Sequence, residues 1–319
     1  MLVLLMHYRC DCRCLMCDIW RVVEQSPSLS EPLLSSLTKS ISHLGVEELV
    51  LSGGEATLHP KLWPFVQQVR QQGTRITLLS TGVSLERLAE KIASHIDLLI
   101  LSLDGDEATH DRIRGIPGAW QRLQRGIRKL RSVAPDLPVQ GRSVIHRENF
   151  RVLPLLIDSA RELGLDQVSL LPADVTETAF NRREWDDGRV QQLALDEAET
   201  IEFRSILERT FRTHRDAFDS GFVAESPRRL RQLVQYYRAL LGLEEWPRVR
   251  CNAPSVSAVV AADGQVKPCF FLPSYPGNVN LTSLEQVLGT EQASYYREAI
   301  EPSVHPTCQR CVCTLYRPG

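Results

Sequence analysis

Apolar and polar positions along the first 175 residues fall into blocks that switch between strand-like and helix-like spacing. Leu2–His7 is a short apolar run of the kind a buried strand makes. Ser30-Glu31-Pro32 then supplies a cap residue and a proline for the first turn of a helix. Leu33, Leu34, Leu37, Ile41 and Leu44 give that helix one apolar face, and Gly45 stops it. Further strands are expected at Glu48–Ser52, Arg75–Ser80, Leu98–Leu103, Val139–Ile145 and Gln167–Leu171. Helices are expected between and after them at Pro60–Gly73, Ser84–His95, Ala119–Val133 and Asn149–Gly164. Leu98–Leu103 (LLILSL) is apolar without alternation, as in strands that a parallel sheet buries on both faces. Six strand–helix steps predict an α/β protein with a parallel sheet, open or curved into a partial barrel. A site on such a sheet belongs at the C-terminal ends of its strands.

Residues 176–250 break this rhythm. They are polar and rich in Arg and Glu, with helices expected at Asp196–Arg212 and Pro227–Leu241, and they read as a helical bridge. From Cys251 the pattern changes again: Ser255–Ala262, Asp263-Gly264 and Gln265–Phe270 form a hairpin signature. The expected division is a barrel over 1–175, the bridge over 176–250 and a small C-terminal hairpin-plus-helix domain over 251–319.

Composition narrows the function classes. The 319 residues are 43% hydrophobic and 24% charged with a formal net charge of −2, which argues against a dedicated nucleic-acid surface. No apolar run approaches the roughly 18 residues a membrane span needs. No basic n-region or cleavage site marks an export signal, so a cytoplasmic location is expected. The nine cysteines are the informative residues. Cys10, Cys12, Cys14 and Cys17 lie at one end of the chain, and Cys251, Cys269, Cys308, Cys311 and Cys313 lie at the other. In a protein without an export signal, such clusters point to metal binding rather than to disulfides.

Cys10-x3-Cys14-x2-Cys17 follows the first strand, at the end of the sheet where a site belongs. Three thiolates can hold three irons of a cubane and leave a fourth iron open, whereas a zinc site would recruit a fourth ligand such as Cys12. Gly53-Gly54-Glu55 ends the second strand, with two glycines that permit close backbone approach and a carboxylate that can accept from an amino group. Ser102-Leu103-Asp104-Gly105 ends the fourth, and alternation puts Ser102 and Asp104 on one side. Each of the last two motifs taken alone also reads as a turn.

Together these residues resemble the radical S-adenosylmethionine (radical SAM) superfamily over roughly residues 1–175. The resemblance implies a partial (β/α)6 TIM-like barrel with a 4Fe-4S cluster on Cys10, Cys14 and Cys17 and SAM on its open iron. Gly53, Gly54 and Glu55 would meet the SAM amino group, and Ser102 and Asp104 its ribose or carboxylate. Arg142 and Ser143 are further candidates for the carboxylate, and Leu171 would lie by the adenine. Two positions depart from the family pattern: Met16 stands where an aromatic usually precedes the third cysteine, and Ala56 where Pro often follows the Glu. A low cluster potential is expected, hence few donors to its sulfurs and little water.

Cys251-x12-Gly264-x4-Cys269 followed by Cys308-x2-Cys311 resembles the auxiliary-cluster extension of these enzymes, called SPASM in full form and twitch when shortened. The resemblance implies one auxiliary 4Fe-4S cluster on Cys251, Cys269, Cys308 and Cys311, while zinc on paired knuckles is the alternative from spacing alone. Cys313 is a substitute for Cys311 or a bystander, and Cys12 reads as a bystander. The function expected is a radical SAM oxidoreductase that abstracts a substrate hydrogen and passes an electron through the auxiliary cluster, supplied by a flavodoxin- or ferredoxin-type reductant. Because Cys10 leaves little chain ahead of it for a peptide-recognition domain, a small metabolite is the first expectation. A peptide brought by a separate partner is the second, and a non-catalytic zinc or iron–sulfur module is the alternative of another class. Asn181, Arg182 and Arg183, after the sixth strand, are candidates for substrate contact over the barrel mouth.

Overall fold

The structure is a computed structural model that describes residues 1–21, 26–179, 184–313 and 315–317. Asn181, Arg182 and Arg183 lie outside the described residues. Six parallel strands carry the barrel: β1 (Leu2–Leu5), β2 (Glu48–Ser52), β3 (Arg75–Ser80), β4 (Leu98–Ser102), β5 (Val139–Ile145) and β6 (Gln167–Pro172). Between and after them run α1 (Glu31–His43), α2 (Leu62–Arg70), α3 (Leu85–His95), α4 (Glu107–Arg114), α5 (Ala119–Val133) and α6 (Leu153–Glu162). Ser30 caps α1 by accepting from the Leu33 N–H, with Pro32 in the first turn, as its sequence dictates.

Burial alternates along β2, β5 and β6. Leu49, Leu51, Ile76, Leu78, Leu99, Leu101, Val139 and Ile145 point into the helix-packed core. The opposite face carries Ser102, Arg142 and Ser169 side by side, since Ser102 pairs with Arg142 and Arg142 with Ser169. That face is the half-open inner wall of the barrel.

Helix α4 follows Asp104-Gly105 in a stretch where the apolar pattern predicts no helix. Its signals are local and short: Asp106 caps it by accepting from the Thr109 N–H, and Gly115 ends it at φ +66°. The bridge is helical as expected, with α7 (Asp187–Leu193), α8 (Glu197–Thr213), α9 (Arg215–Asp219) and α10 (Pro227–Leu240). It also covers an edge of the sheet: Val223 bridges Val168 of β6, and Glu225 accepts from Ser169 Oγ and the Leu170 N–H, both at 2.8 Å.

The C-terminal hairpin is not set apart from the barrel. After α11 (Ala253–Val256), β7 (Ala258–Val260) pairs in parallel with β1 and turns back into β8 (Val266–Lys267). The strand order is therefore β6-β5-β4-β3-β2-β1-β7-β8, one eight-stranded sheet. Helices α12 (Leu284–Leu288), α13 (Glu291–Ala299) and α14 (Pro306–Gln309) follow. Among the described residues no helix is long and apolar enough to cross a membrane.

Candidate active site and its two cysteine clusters

The N-terminal cysteine loop is held from two sides by backbone. On one side, the Gly54 N–H donates to the His7 carbonyl and the Glu55 N–H to the Arg9 carbonyl, both at 2.8 Å. This contact requires the glycines. Gly53 sits at φ +127°, where a Cβ would lie 2.5 Å from the His7 carbonyl oxygen, and a Cβ on Gly54 would overlap the Arg9 carbonyl. On the other side the Arg13 N–H donates to the Arg114 carbonyl at 2.9 Å and the Leu15 N–H to the Ile113 carbonyl at 3.0 Å. The end of α4 thus grips the loop between Cys12 and Met16. A cover lies over it as well: Trp185 Nε1 donates to Asp18 Oδ2 at 2.6 Å, Arg189 donates to the Leu15 carbonyl, and Met16 packs against the cluster of Ala173, Val175 and Leu193. The segment after β6 therefore reaches the barrel mouth.

Glu55 is fully buried and already occupied. Its carboxylate accepts from Thr57 Oγ1 at 2.6 Å, the Thr57 N–H at 3.1 Å, Ser80 Oγ at 3.0 Å and the Thr81 N–H at 2.7 Å. Burial, then the nearby Asp11, pushes its pKa up, and the bonds from Thr57 and Thr81 oppose this. In this structure Glu55 joins the ends of β2 and β3, with Asp11 of the cysteine loop bonded to Thr81 Oγ1 at 3.0 Å beside it.

The sulfurs receive more donors than the low-donor expectation allowed. The Cys12 N–H lies 3.5 Å from Cys10 Sγ, the Ile19 N–H 3.4 Å from Cys17 Sγ and Arg114 Nη1 3.4 Å from Cys14 Sγ. Hydrogen bonding with Cys10 and Cys14, then burial, raises the Cys12 thiol well beyond its usual range. Cys14 moves the other way, to about 7, chiefly through the hydrogen bond with Cys12 and then against burial through the Arg114 charge. Cys17 is pushed up to about 12 by burial and then by Cys14. Among the described residues no three His, Cys, Asp or Glu side chains are arranged around a single ion. A cubane does not ask for that, because each thiolate binds its own iron. Clustered thiols facing N–H donors suit such a cluster, since sulfur carrying negative charge is the acceptor they fit.

Asp104 is buried, and its Oδ2 accepts from Arg114 Nε at 2.6 Å. Sequence reasoning missed Arg114. Its guanidinium stays charged because the carboxylate and the neighbouring thiols outweigh burial. Asp104 Oδ1 has no partner among the described residues. Ser102 is half-buried on the inner wall beside Arg142. Arg142 Nε is buried and unpartnered among the described residues, and the Arg142 charge acts on Glu225 and on Cys313. Ser143 falls on the other side: it is 0% exposed and shares the face of Val139 and Ile145 in the helix-packed core. Strand alternation thus separates Arg142 from Ser143. Leu171 stays on the inner-wall side with Val144, its register partner.

The second cluster is built differently. Cys251, Cys269, Cys308, Cys311 and Cys313 line one cavity with apolar walls that include Val249, Pro254, Phe271 and Leu272. Burial is the first cause raising the thiols of Cys269, Cys308 (to about 11), Cys311 and Cys313, and neighbouring cysteines push each of them further. Ionised thiols so placed require a cationic centre. Cys311 Sγ donates to the Cys313 carbonyl at 3.0 Å. Cys313 is exposed as a residue, yet its thiol is shielded and feels the charge of Arg142 across the barrel mouth.

The Radical SAM superfamily profile matches residues 4–170, more than half of the chain. The chain belongs to the radical SAM superfamily. An iron–sulfur cluster-binding domain of the SPASM type matches residues 251–312. The AdoMet-dependent heme synthase of Methanosarcina barkeri is 33% identical over 127 residues, 39% of this chain and 36% of that protein. The PqqA peptide cyclase of Gluconobacter oxydans is 30% identical over 167 residues, 51% of this chain and 46% of that protein. The chain thus spans less than half the length of these curated relatives. The structure of anSMEcpe with bound AdoMet superposes with a TM-score of 0.69 at 17% identity, covering 97% of this chain and 86% of that one, which is a likeness of fold. The two matched domains give this radical SAM enzyme a 4Fe-4S cluster, SAM and an auxiliary iron–sulfur cluster as cofactors. Family membership overturns the alternative of a non-catalytic metal module.

Proposed function

We propose that Cys10, Cys14 and Cys17 hold the SAM-binding 4Fe-4S cluster and that Cys251, Cys269, Cys308 and Cys311 close the auxiliary one, in a radical SAM oxidoreductase. The observation that carries this reading is the cysteine loop pinned by the end of β2 on one side and the end of α4 on the other. When bound, these groups supply hydrogen-atom abstraction by a 5′-deoxyadenosyl radical and a one-electron sink for the substrate radical. The chain's own residues orient and exclude. Gly53 and Gly54 bring the end of β2 against the loop, where backbone can meet the SAM amino group. Arg142, with its unpartnered Nε, and Ser102 present a guanidinium and a hydroxyl to its carboxylate. Met16 and the cover formed by Trp185 and Arg189 keep water from the loop.

The substrate lies between the two cysteine clusters. A cavity of about 170 Å³ beside β1 and the C-terminal hairpin is lined by Leu5, Tyr8, Val259, Ala261, Lys267 and Phe270. It suits a group the size of one residue or one sugar ring. A small metabolite is the first reading. A peptide is the second, favoured by the 30% identity with a peptide cyclase over 51% of the chain. A flavodoxin- or ferredoxin-type donor in the cytoplasm fits the reduced thiols both sites need. The test is an anaerobic assay with reductant, SAM and deuterated candidate substrates, following 5′-deoxyadenosine. Deuterium in that product supports the reading. SAM left uncleaved by enzyme with full iron content contradicts it.

A further inference from the structure

Among the donors that face the N-terminal sulfurs, one is a charged side chain. Cys10 Sγ and Cys17 Sγ receive backbone N–H groups, while Cys14 Sγ receives Arg114 Nη1 at 3.4 Å. The guanidinium is fixed in place. Its Nε donates to Asp104 Oδ2 at 2.6 Å, its own carbonyl accepts from the Arg13 N–H, and Gly115 at φ +66° ends the helix just beyond it. Both members of the ion pair are buried, so little water screens them. His110 lies 3.8 Å from the same carboxylate oxygen, but burial and the Arg114 charge lower its pKa to about 3, so it adds no competing cation.

We infer that Arg114, held by Asp104, is a positioning residue that makes the N-terminal cluster easier to reduce by placing a cation against Cys14. This rests on the proposed ligation of that cluster by Cys14. Adding an electron to an iron bound by Cys14 increases negative charge at its sulfur, and a charge-assisted donor stabilises that state. Asp104 has two effects: it fixes the guanidinium, and its negative charge offsets part of the guanidinium's field. Removing each partner should therefore shift reduction in opposite directions, which a merely structural pair would not do.

The test is an EPR redox titration of anaerobic holoenzyme in the absence of SAM, following the signal that separately responds to SAM. Arg114→Met should make reduction about tenfold less favourable, or ~59 mV lower for one electron. Arg114→Lys should recover much of this, and Asp104→Asn should shift the potential upward. The auxiliary signal serves as the internal control and should stay put. An unchanged midpoint in Arg114→Met with full iron overturns the inference, as does loss of the SAM-responsive cluster in both Arg114→Met and Asp104→Asn. If Arg114→Met alone loses the cluster, the direction of the Asp104→Asn shift decides. A wild-type protein with no SAM-responsive signal instead contradicts the ligation reading itself.

Discussion

The two cysteine clusters solve the same problem by different means. The N-terminal loop is built from backbone contacts. Gly54 and Glu55 donate into it from β2, Ile113 and Arg114 accept from it at the end of α4, and N–H donors face its sulfurs. The C-terminal pocket is built from burial. Five cysteines meet inside apolar walls, and desolvation is the first cause raising the thiols of Cys269, Cys308, Cys311 and Cys313, with backbone support at Cys251 from the Ala253 N–H and at Cys269 from Phe271 and Leu272. A loop held by its backbone can keep its geometry while one coordination position stays open to a ligand. A pocket held by burial depends on closing around its metal. The difference matches an open cluster at one end of the chain and a closed one at the other.

The comparison breaks most sharply at single cysteines. Cys14→Ala should abolish SAM cleavage and remove about four of roughly eight irons while the auxiliary signal persists. Iron analysis with EPR checks this. Glycines come next. An Ala Cβ at Gly54 meets backbone, which cannot give way, so Gly54→Ala should lower first-cluster iron severalfold. A Cβ on Gly264, in the C-terminal hairpin at φ +83°, would first meet the side-chain amides of Asn278 and Asn280, both at 2.3 Å, which can turn aside at the loss of their bonds to the Asp263 carbonyl. Gly264→Ala should therefore keep the auxiliary cluster and cost only about 1–2 kcal/mol of backbone strain, read as a shift in thermal midpoint.

Third, Cys311→Ala and Cys313→Ala separate ligand from neighbour. Loss of auxiliary iron is expected for Cys311→Ala, with Cys313→Ala close to wild type. The reverse would assign Cys313 as the fourth ligand. The smallest effect is on pH. Burial lowers His110 and His146 to about 3, so both are neutral in the fold and take up protons on unfolding below about 6.5. Each contributes stability that is complete above that value and is lost as pH falls toward 3, by up to ~1.4 kcal/mol per pH unit. Burial raises Glu55, which works in the opposite sense. Both histidines serve the barrel, so hydrogen exchange at pH 5 should rise around residues 104–115 before it rises around 251–272.

Much of this was legible in the chain. Glu48–Ser52, Arg75–Ser80, Val139–Ile145 and Ala119–Val133 form over the residues their patterns mark, because each buries one face against a core that such periodicity describes. Helix α4 was not legible by apolar pattern: four of its eight residues, Glu107, Asp111, Arg112 and Arg114, are charged, and only its caps announce it. Arg114 was missed with it. The pairing of β7 with β1 was also hidden, since it joins residues some 250 positions apart that no local spacing relates. At the candidate site, the cysteines and Gly53-Gly54 were readable from motif. The occupied carboxylates of Glu55 and Asp104 were not, because their partners come from β3 and α4.

The most direct test of the central claim, one open cluster and one closed, is EPR of the reduced anaerobic protein with and without SAM, together with iron analysis. The account predicts about eight irons per chain and two cluster signals, of which one changes on adding SAM and is absent from Cys14→Ala. Two signals that both respond to SAM, or a SAM response that survives in Cys14→Ala, would contradict it.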